Sequence, residues 1–125
     1  MIAKNGSDKI SKIVFYDELD PNAFKSGIIV FEGKYYSKLD KILQDFDGIV
    51  IADIHTHPIG CSTQQSDSDR NHPMCRLKGH IAFIAPNYAS NLLLMPKDCS
   101  AYLYEGSFQW KTLVNESFPL NITLL

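Results

Sequence analysis

From Tyr35 to Phe46 the apolar residues Tyr36, Leu39, Leu43 and Phe46, with Ile42 alongside, return every three or four positions, while Lys38, Lys41, Gln44 and Asp45 fall off that stripe. A period near 3.6 residues places them on one face and predicts an amphipathic helix, which Asp47-Gly48 ends. The other apolar stretches are short and contiguous, as strands buried in a sheet are. They are Ile10–Tyr16, closed by the polar turn Asp17–Asn22; Gly27–Glu32, broken by Gly33; Ile49–Ala52; and Gly79–Pro86, with Asn87–Ala89 as its exit. Ser100–Tyr104 and Phe108–Val114 flank Glu105-Gly106-Ser107 and predict a hairpin. Ser66–Asn71 predicts a short helix with Ser66 or Asp67 near its N-cap and Pro73 limiting its run. Leu92–Met95 is short and fits neither period. The pattern predicts an α/β protein: one domain over residues 1–125, a mixed β-sheet, one main amphipathic helix, and a short helix after the strand that begins at Ile49.

Composition narrows the function classes. A chain of 125 residues suits one domain with a sizeable core. A net charge of −2 with mixed signs forms no basic stripe and argues against nucleic acid as a partner. No apolar run approaches the ~18–20 residues that span a bilayer, and Met1–Gly6 lacks the apolar stretch of a signal peptide. Three widely spaced cysteines form no disulfide framework and point to a reducing, cytoplasmic compartment.

The candidate chemistry lies in Asp53-Ile54-His55-Thr56-His57-Pro58. Along a strand alternate side chains share a face, so His55 and His57 point the same way. Two neighbouring imidazoles at a strand end fill a core poorly but suit Zn²⁺, which takes nitrogen ligands at ~2.0–2.1 Å. Pro58, lacking an N–H, ends the strand. Ser66 follows in the next loop, and Asp69, three residues later, offers a carboxylate as third ligand. Three protein ligands leave a fourth tetrahedral position for water, as catalytic zinc sites do. The bland reading is two surface histidines beside a Ser/Asp helix cap.

His55-Thr56-His57-Pro58, with Ser66 and Asp69 at their offsets, resembles the JAB/MPN metalloprotease motif. The order strand, helix, metal strand, Ser-x-x-Asp loop, strand and terminal hairpin is similar to that fold over residues 10 to 115. The run from His55 through Ser66 to Gly79–Ala89 looks like bacterial JAB proteins of ubiquitin-like conjugation operons, some of them acting in antiphage defence. The resemblance implies a zinc-dependent isopeptidase or peptidase that removes ubiquitin-like modifiers or processes their precursors, with E1-like and E2-like proteins as companions. It implies Zn²⁺ on His55, His57 and Asp69, and a Ser66 hydroxyl that orients water or stabilises an oxyanion. The structural alternative for Ser66 is an N-cap worth ~1 kcal/mol.

The family's general base is a glutamate on an early strand. Counting elements back from His55, that strand falls near Met1–Gly6, where there is no Glu, and the family's N-terminal helix has no counterpart. Either the chain starts inside the domain, or the base is lost, or another carboxylate substitutes. Glu32, at the end of an apolar run, is the first candidate substitute and Glu18 the second. Loss of the base makes the alternative a JAB/MPN-like binding module with weak or no activity. Asp53 shares the face of His55 and is a candidate to orient an imidazole N–H, the alternative being a simple backbone hydrogen bond. His80 reads as a satisfied core residue; His72, Cys75 and Cys99 carry no ligand spacing; Cys61 follows the motif without a partner; Trp110 reads as hairpin packing. The opening Asp53–His57 also resembles PHP-type phosphoesterases and amidohydrolases, but those barrels need ~200 or more residues.

Overall fold

The computed structural model describes residues 1–26, 29, 33–90 and 98–113. They fall into two compact units, one within Met1–Val50 and one within Ile51–Pro119. The class is mixed α/β with few helices, as the patterning predicts, and the strands are shared between two sheets.

The first unit carries a three-stranded antiparallel sheet in the order β2-β1-β3, with β1 Ile2–Lys4, β2 Ile10–Lys12 and β3 Gly48–Val50. Ile2 and Ala3 of the central strand are buried. The predicted strand Ile10–Tyr16 stops at Lys12. Ile2 pairs opposite Lys12, so the following residues run past β1, and Ile13 and Phe15 are exposed. Tyr16 instead opens a short helix, α1 (Tyr16–Leu19), with Asp17 and Glu18 in its first turn, where the helix dipole favours negative charge. The expected polar turn is thus helical at its start and closes when the Asp20 carboxylate accepts from the Asn22 amide at 2.8 Å. The amphipathic helix α2 spans Gly33–Phe46 and buries Leu39 from its apolar stripe. The expected strand Gly27–Glu32 lies outside the described residues, Ile29 apart, and so does the Glu32 carboxylate.

The second unit holds a four-stranded sheet in the order β4-β5-β6-β7: β4 Ala52–Thr56, β5 Ile81–Ala85, β6 Ser100–Gly106 and β7 Gln109–Leu113. β4 and β5 run parallel; the other two pairings are antiparallel. All of β5 is buried, which explains its unbroken apolar run. The predicted strand Ile49–Ala52 is divided. Its start belongs to β3, Ala52 opens β4, and Ile51 between them accepts the Ile81 amide at 3.1 Å. The polar motif residues Asp53–Thr56 are therefore themselves strand. The chain crosses from β4 to β5 through residues 57–80, which include α3 (Asp67–Asn71). The hairpin turn lies one residue beyond the expected one. Ser107 and Phe108 both take positive φ, 51° and 59°, the handedness that two-residue hairpins require. Among the described residues no helix is long and apolar enough to cross a membrane.

Candidate metal centre

β4 delivers the first histidine and the residue after it begins the support of the second. The His57 amide donates to the Ala85 carbonyl at 2.9 Å, continuing the parallel ladder past Thr56, and the His57 carbonyl accepts the Tyr88 amide at 2.9 Å. That second bond comes from a 3-10 turn, Asn87–Ala89, whose three residues have φ of 52°, 54° and 55°. Three successive left-handed residues without a glycine are costly. The Asn87 side chain is held there by the Gly60 amide at 3.1 Å.

The ring of His57 is fixed from behind. Its Nδ1 lies 2.6 Å from the Ser62 carbonyl, which can only accept, so Nδ1 carries the proton and Nε2 presents a lone pair. His55 Nε2 stands 3.3 Å from His57 Nε2. Asp69 completes a triangle, with Oδ1 3.3 Å from His55 Nε2 and Oδ2 3.5 Å from His57 Nε2. Ligands ~2.0–2.1 Å from a tetrahedral ion stand about 3.3–3.4 Å from one another. The three edges thus match the spacing of a metal-binding face, and two imidazoles with one carboxylate suit a divalent ion. Among the described residues this is the one set of three or more His, Cys, Asp or Glu ligand atoms so gathered. All three side chains are 15–19% exposed, sheltered but reachable.

Asp69 reaches this position through the start of α3. Ser66 caps the helix: its Oγ accepts the Asp69 amide at 3.1 Å, while the Ser66 amide donates to Asp69 Oδ2 at 2.7 Å. The Ser66 hydroxyl also donates to Oδ2, at 2.8 Å. The hydroxyl singled out from sequence is therefore at once a cap and a brace for the third ligand. Burial pushes the Asp69 carboxyl up, but hydrogen bonds from His55 and Ser66 outweigh it and hold the group well below the usual carboxylate range. Burial likewise pushes His55 down, and Asp69, with a smaller contribution from Asp53, pulls its pKa above the ordinary value. A proton on His55 and a metal ion compete for one lone pair.

The remaining candidates separate. Asp53 orients an imidazole, that of His80: its Oδ1 is 2.6 Å from His80 Nε2. His80 is buried, with Nδ1 lacking any hydrogen-bond partner. His72 is exposed and turns Nδ1 to the Ser68 carbonyl, and Cys61 is exposed outside the ligand cluster. Glu18 is exposed on α1 in the first unit. In the second unit the described Glu is Glu105, exposed near the end of β6. Ser100 pairs with Ile84, and Ile84 with His55, so Glu105 lies at the opposite end of the sheet from the histidines.

Several supports carry no sequence signal. The loop before Ser66 is tied to β6 by Thr63, whose Oγ1 meets the Ser100 hydroxyl and whose carbonyl accepts the Tyr102 hydroxyl at 2.9 Å. Trp110 packs on Tyr104, with ring centroids 4.8 Å apart, and its Nε1 also donates to the Arg70 carbonyl at 3.1 Å, which ties α3 to β7. No protein-family model matches the chain.

Proposed function

We propose that this chain is a zinc-dependent isopeptidase or peptidase of the JAB/MPN type, acting on amide bonds formed by ubiquitin-like modifiers. The observation that carries the reading is the His55–His57–Asp69 triangle, whose edges suit a tetrahedral ion with one position left for solvent or substrate. Bound there, a divalent ion supplies Lewis acidity, lowering the pKa of water and polarising a carbonyl. His55 and His57 give neutral nitrogen donors, Asp69 gives a negative oxygen, and Ser66 keeps that oxygen aimed. The spared lone pair of the Ser66 hydroxyl and its place beside the triangle suit it to orient a water or substrate group as well. The motif spacing, rather than the triangle, supports the modifier as substrate and E1-like and E2-like proteins as companions, and the cysteine usage supports a cytoplasmic setting. Cys61, Cys75 and Cys99 form no disulfide among the described residues, in keeping with a reducing compartment.

A second reading, a metal-loaded binding module with weak or no hydrolysis, is favoured by one observation. The described Glu of the second unit sits at the far end of the sheet from the histidines. The experiment that separates them is turnover of a ubiquitin-like protein fused or isopeptide-linked at its C-terminus, by zinc-loaded wild type, His57→Ala and Glu32→Gln. Cleavage lost in His57→Ala supports the hydrolase, and loss in Glu32→Gln as well assigns Glu32 as the base. Zinc-loaded wild type that leaves every such substrate intact overturns the hydrolase in favour of the binding module.

A further inference from the structure

Between His57 and the carbonyl that orients its ring lie Pro58, Ile59, Gly60 and Cys61, all of them exposed, as is Ser62 itself. Packing therefore does not place the Ser62 carbonyl, although it stands 2.6 Å from His57 Nδ1. Hydrogen bonds have to do so. The Cys61 amide donates to the Pro58 carbonyl at 3.0 Å and closes the stretch into a turn. Gly60 takes a φ of 75°, a left-handed value that glycine adopts freely. Its amide donates away from the turn, to Asn87 Oδ1 at 3.1 Å. Asn87 opens the turn after β5, and the next amide in that turn, that of Tyr88, donates to the His57 carbonyl at 2.9 Å. One turn thus holds both the main chain of His57 and the loop that carries the acceptor for its ring. The turn is also strained. Asn tolerates its φ of 52°, but Tyr88 and Ala89, at 54° and 55°, do so at a cost, and both are exposed, so packing gives nothing in return. What the conformation does provide is those two bonds to residues 57 and 60.

We propose that Asn87 is a positioning residue for the metal centre: through Gly60 it holds the loop that aims the Ser62 carbonyl at His57, and so keeps His57 Nε2 turned toward His55 and Asp69. This rests on the reading of His55, His57 and Asp69 as a metal centre. The triangle depends on the ring's orientation, because His57 Nε2 stands 3.3 Å from His55 Nε2 and 3.5 Å from Asp69 Oδ2. A side chain at position 87 has to accept the Gly60 amide and tolerate a left-handed backbone, a pairing that Asn and Asp offer. Glycine offers the backbone without the acceptor. Losing an outer partner of a metal-bound histidine typically lowers affinity ~10–100-fold. Asn87 acts through a loop whose far end is tied to β6, where the Tyr102 hydroxyl donates to the Thr63 carbonyl at 2.9 Å. Its loss therefore belongs at the low end of that range, roughly tenfold.

The test compares wild type, Asn87→Gly and Asn87→Asp, each checked for fold by circular dichroism, in competition for Zn²⁺ against a chromophoric chelator. Asn87→Gly relieves backbone strain, so its melting temperature should hold or rise while its zinc affinity falls roughly tenfold. Asn87→Asp keeps an acceptor and should stay near wild type. In NMR spectra of the zinc-loaded protein the His57 Nδ1 proton should exchange slowly with solvent in wild type and Asn87→Asp, and rapidly in Asn87→Gly. A merely structural role would lower the melting temperature and leave that proton protected. Wild type that takes up no zinc overturns the metal-centre reading and this proposal with it. Wild type that binds zinc while Asn87→Gly binds it equally tightly overturns this proposal alone. So does rapid exchange of the Gly60 amide in wild type, a measurement that needs no variant.

Discussion

Replacing Asp53 by Asn tests how much stability its pair with the buried His80 contributes. The His80 side chain is fully buried and Asp53 only 13% exposed, so solvent screens their attraction little. Burial alone would push the imidazole down, yet the carboxylate and the thiol bring it from 6.5 to about 9. At ~1.36 kcal/mol per unit, that rise corresponds to stabilisation on the order of 3 kcal/mol. Removing one partner of a buried pair costs ~3–5 kcal/mol when the other charge is stranded. In Asp53→Asn, His80 can release its proton instead, and the amide oxygen still accepts from Nε2, so about 2–3 kcal/mol is expected. The sign follows from the raised folded-state value. Between 6.5 and about 9 the native state holds a proton that the unfolded chain has lost. Stability from this group is complete below 6.5 and is lost as pH rises through 9. The Cys75 thiol, held low in the folded chain, titrates with the opposite sign, so the series is run in wild type and in Cys75→Ser. Urea denaturation at pH 6.5, 7.5, 8.5 and 9.5 should show the unfolding free energy falling with pH in both, and a shallow slope with Asp53→Asn. A flat profile in Cys75→Ser, together with a His80 NMR titration near 6.5, would refute the reasoning.

The metal site should take one Zn²⁺ per chain, measured by elemental analysis, and His57→Ala or Asp69→Ala should abolish it. Because Asp69 raises the His55 pKa, affinity in a chelator competition should already weaken as pH falls toward neutrality, before an ordinary imidazole would titrate; an affinity unchanged from pH 8 to 6 would contradict this. Ser66→Ala loses both the cap and the brace on Asp69, so about 1 kcal/mol of stability and roughly tenfold in zinc affinity should go together. Impaired turnover with affinity intact would assign the hydroxyl to the reaction instead. Gly48→Ala should destabilise the first unit by ~1–3 kcal/mol in thermal or urea unfolding, since a Cβ there would lie 2.9 Å from the Ala3 carbonyl and 2.8 Å from the Ile2 and Phe46 side chains.

The elements with a strong period were legible in the chain. The stripe from Tyr36 to Phe46 appears as α2, the contiguous run around Phe83 as the buried β5, and the two late runs as a hairpin. The ligand triangle was legible for a related reason: strand alternation puts His55 and His57 on one face, and a Ser-x-x-Asp cap fixes where Asp69 turns. Local rules act over a few residues, and sequence carries them in full. What tertiary structure decided was pairing across distance. Strand Ile10–Tyr16 stops at Lys12 because β1 pairs no farther, and Ile49–Ala52 splits because two different sheets take its halves. The partner of Asp53 could not be read from strand parity, which pointed to His55. It is His80, brought alongside when β5 adds in parallel to β4 and sets Asp53 opposite Ala82. The Ser62 carbonyl and the Trp110 N–H leave no mark either, since any residue has a carbonyl and an indole packs in any hairpin. Their role comes only from the register that places them.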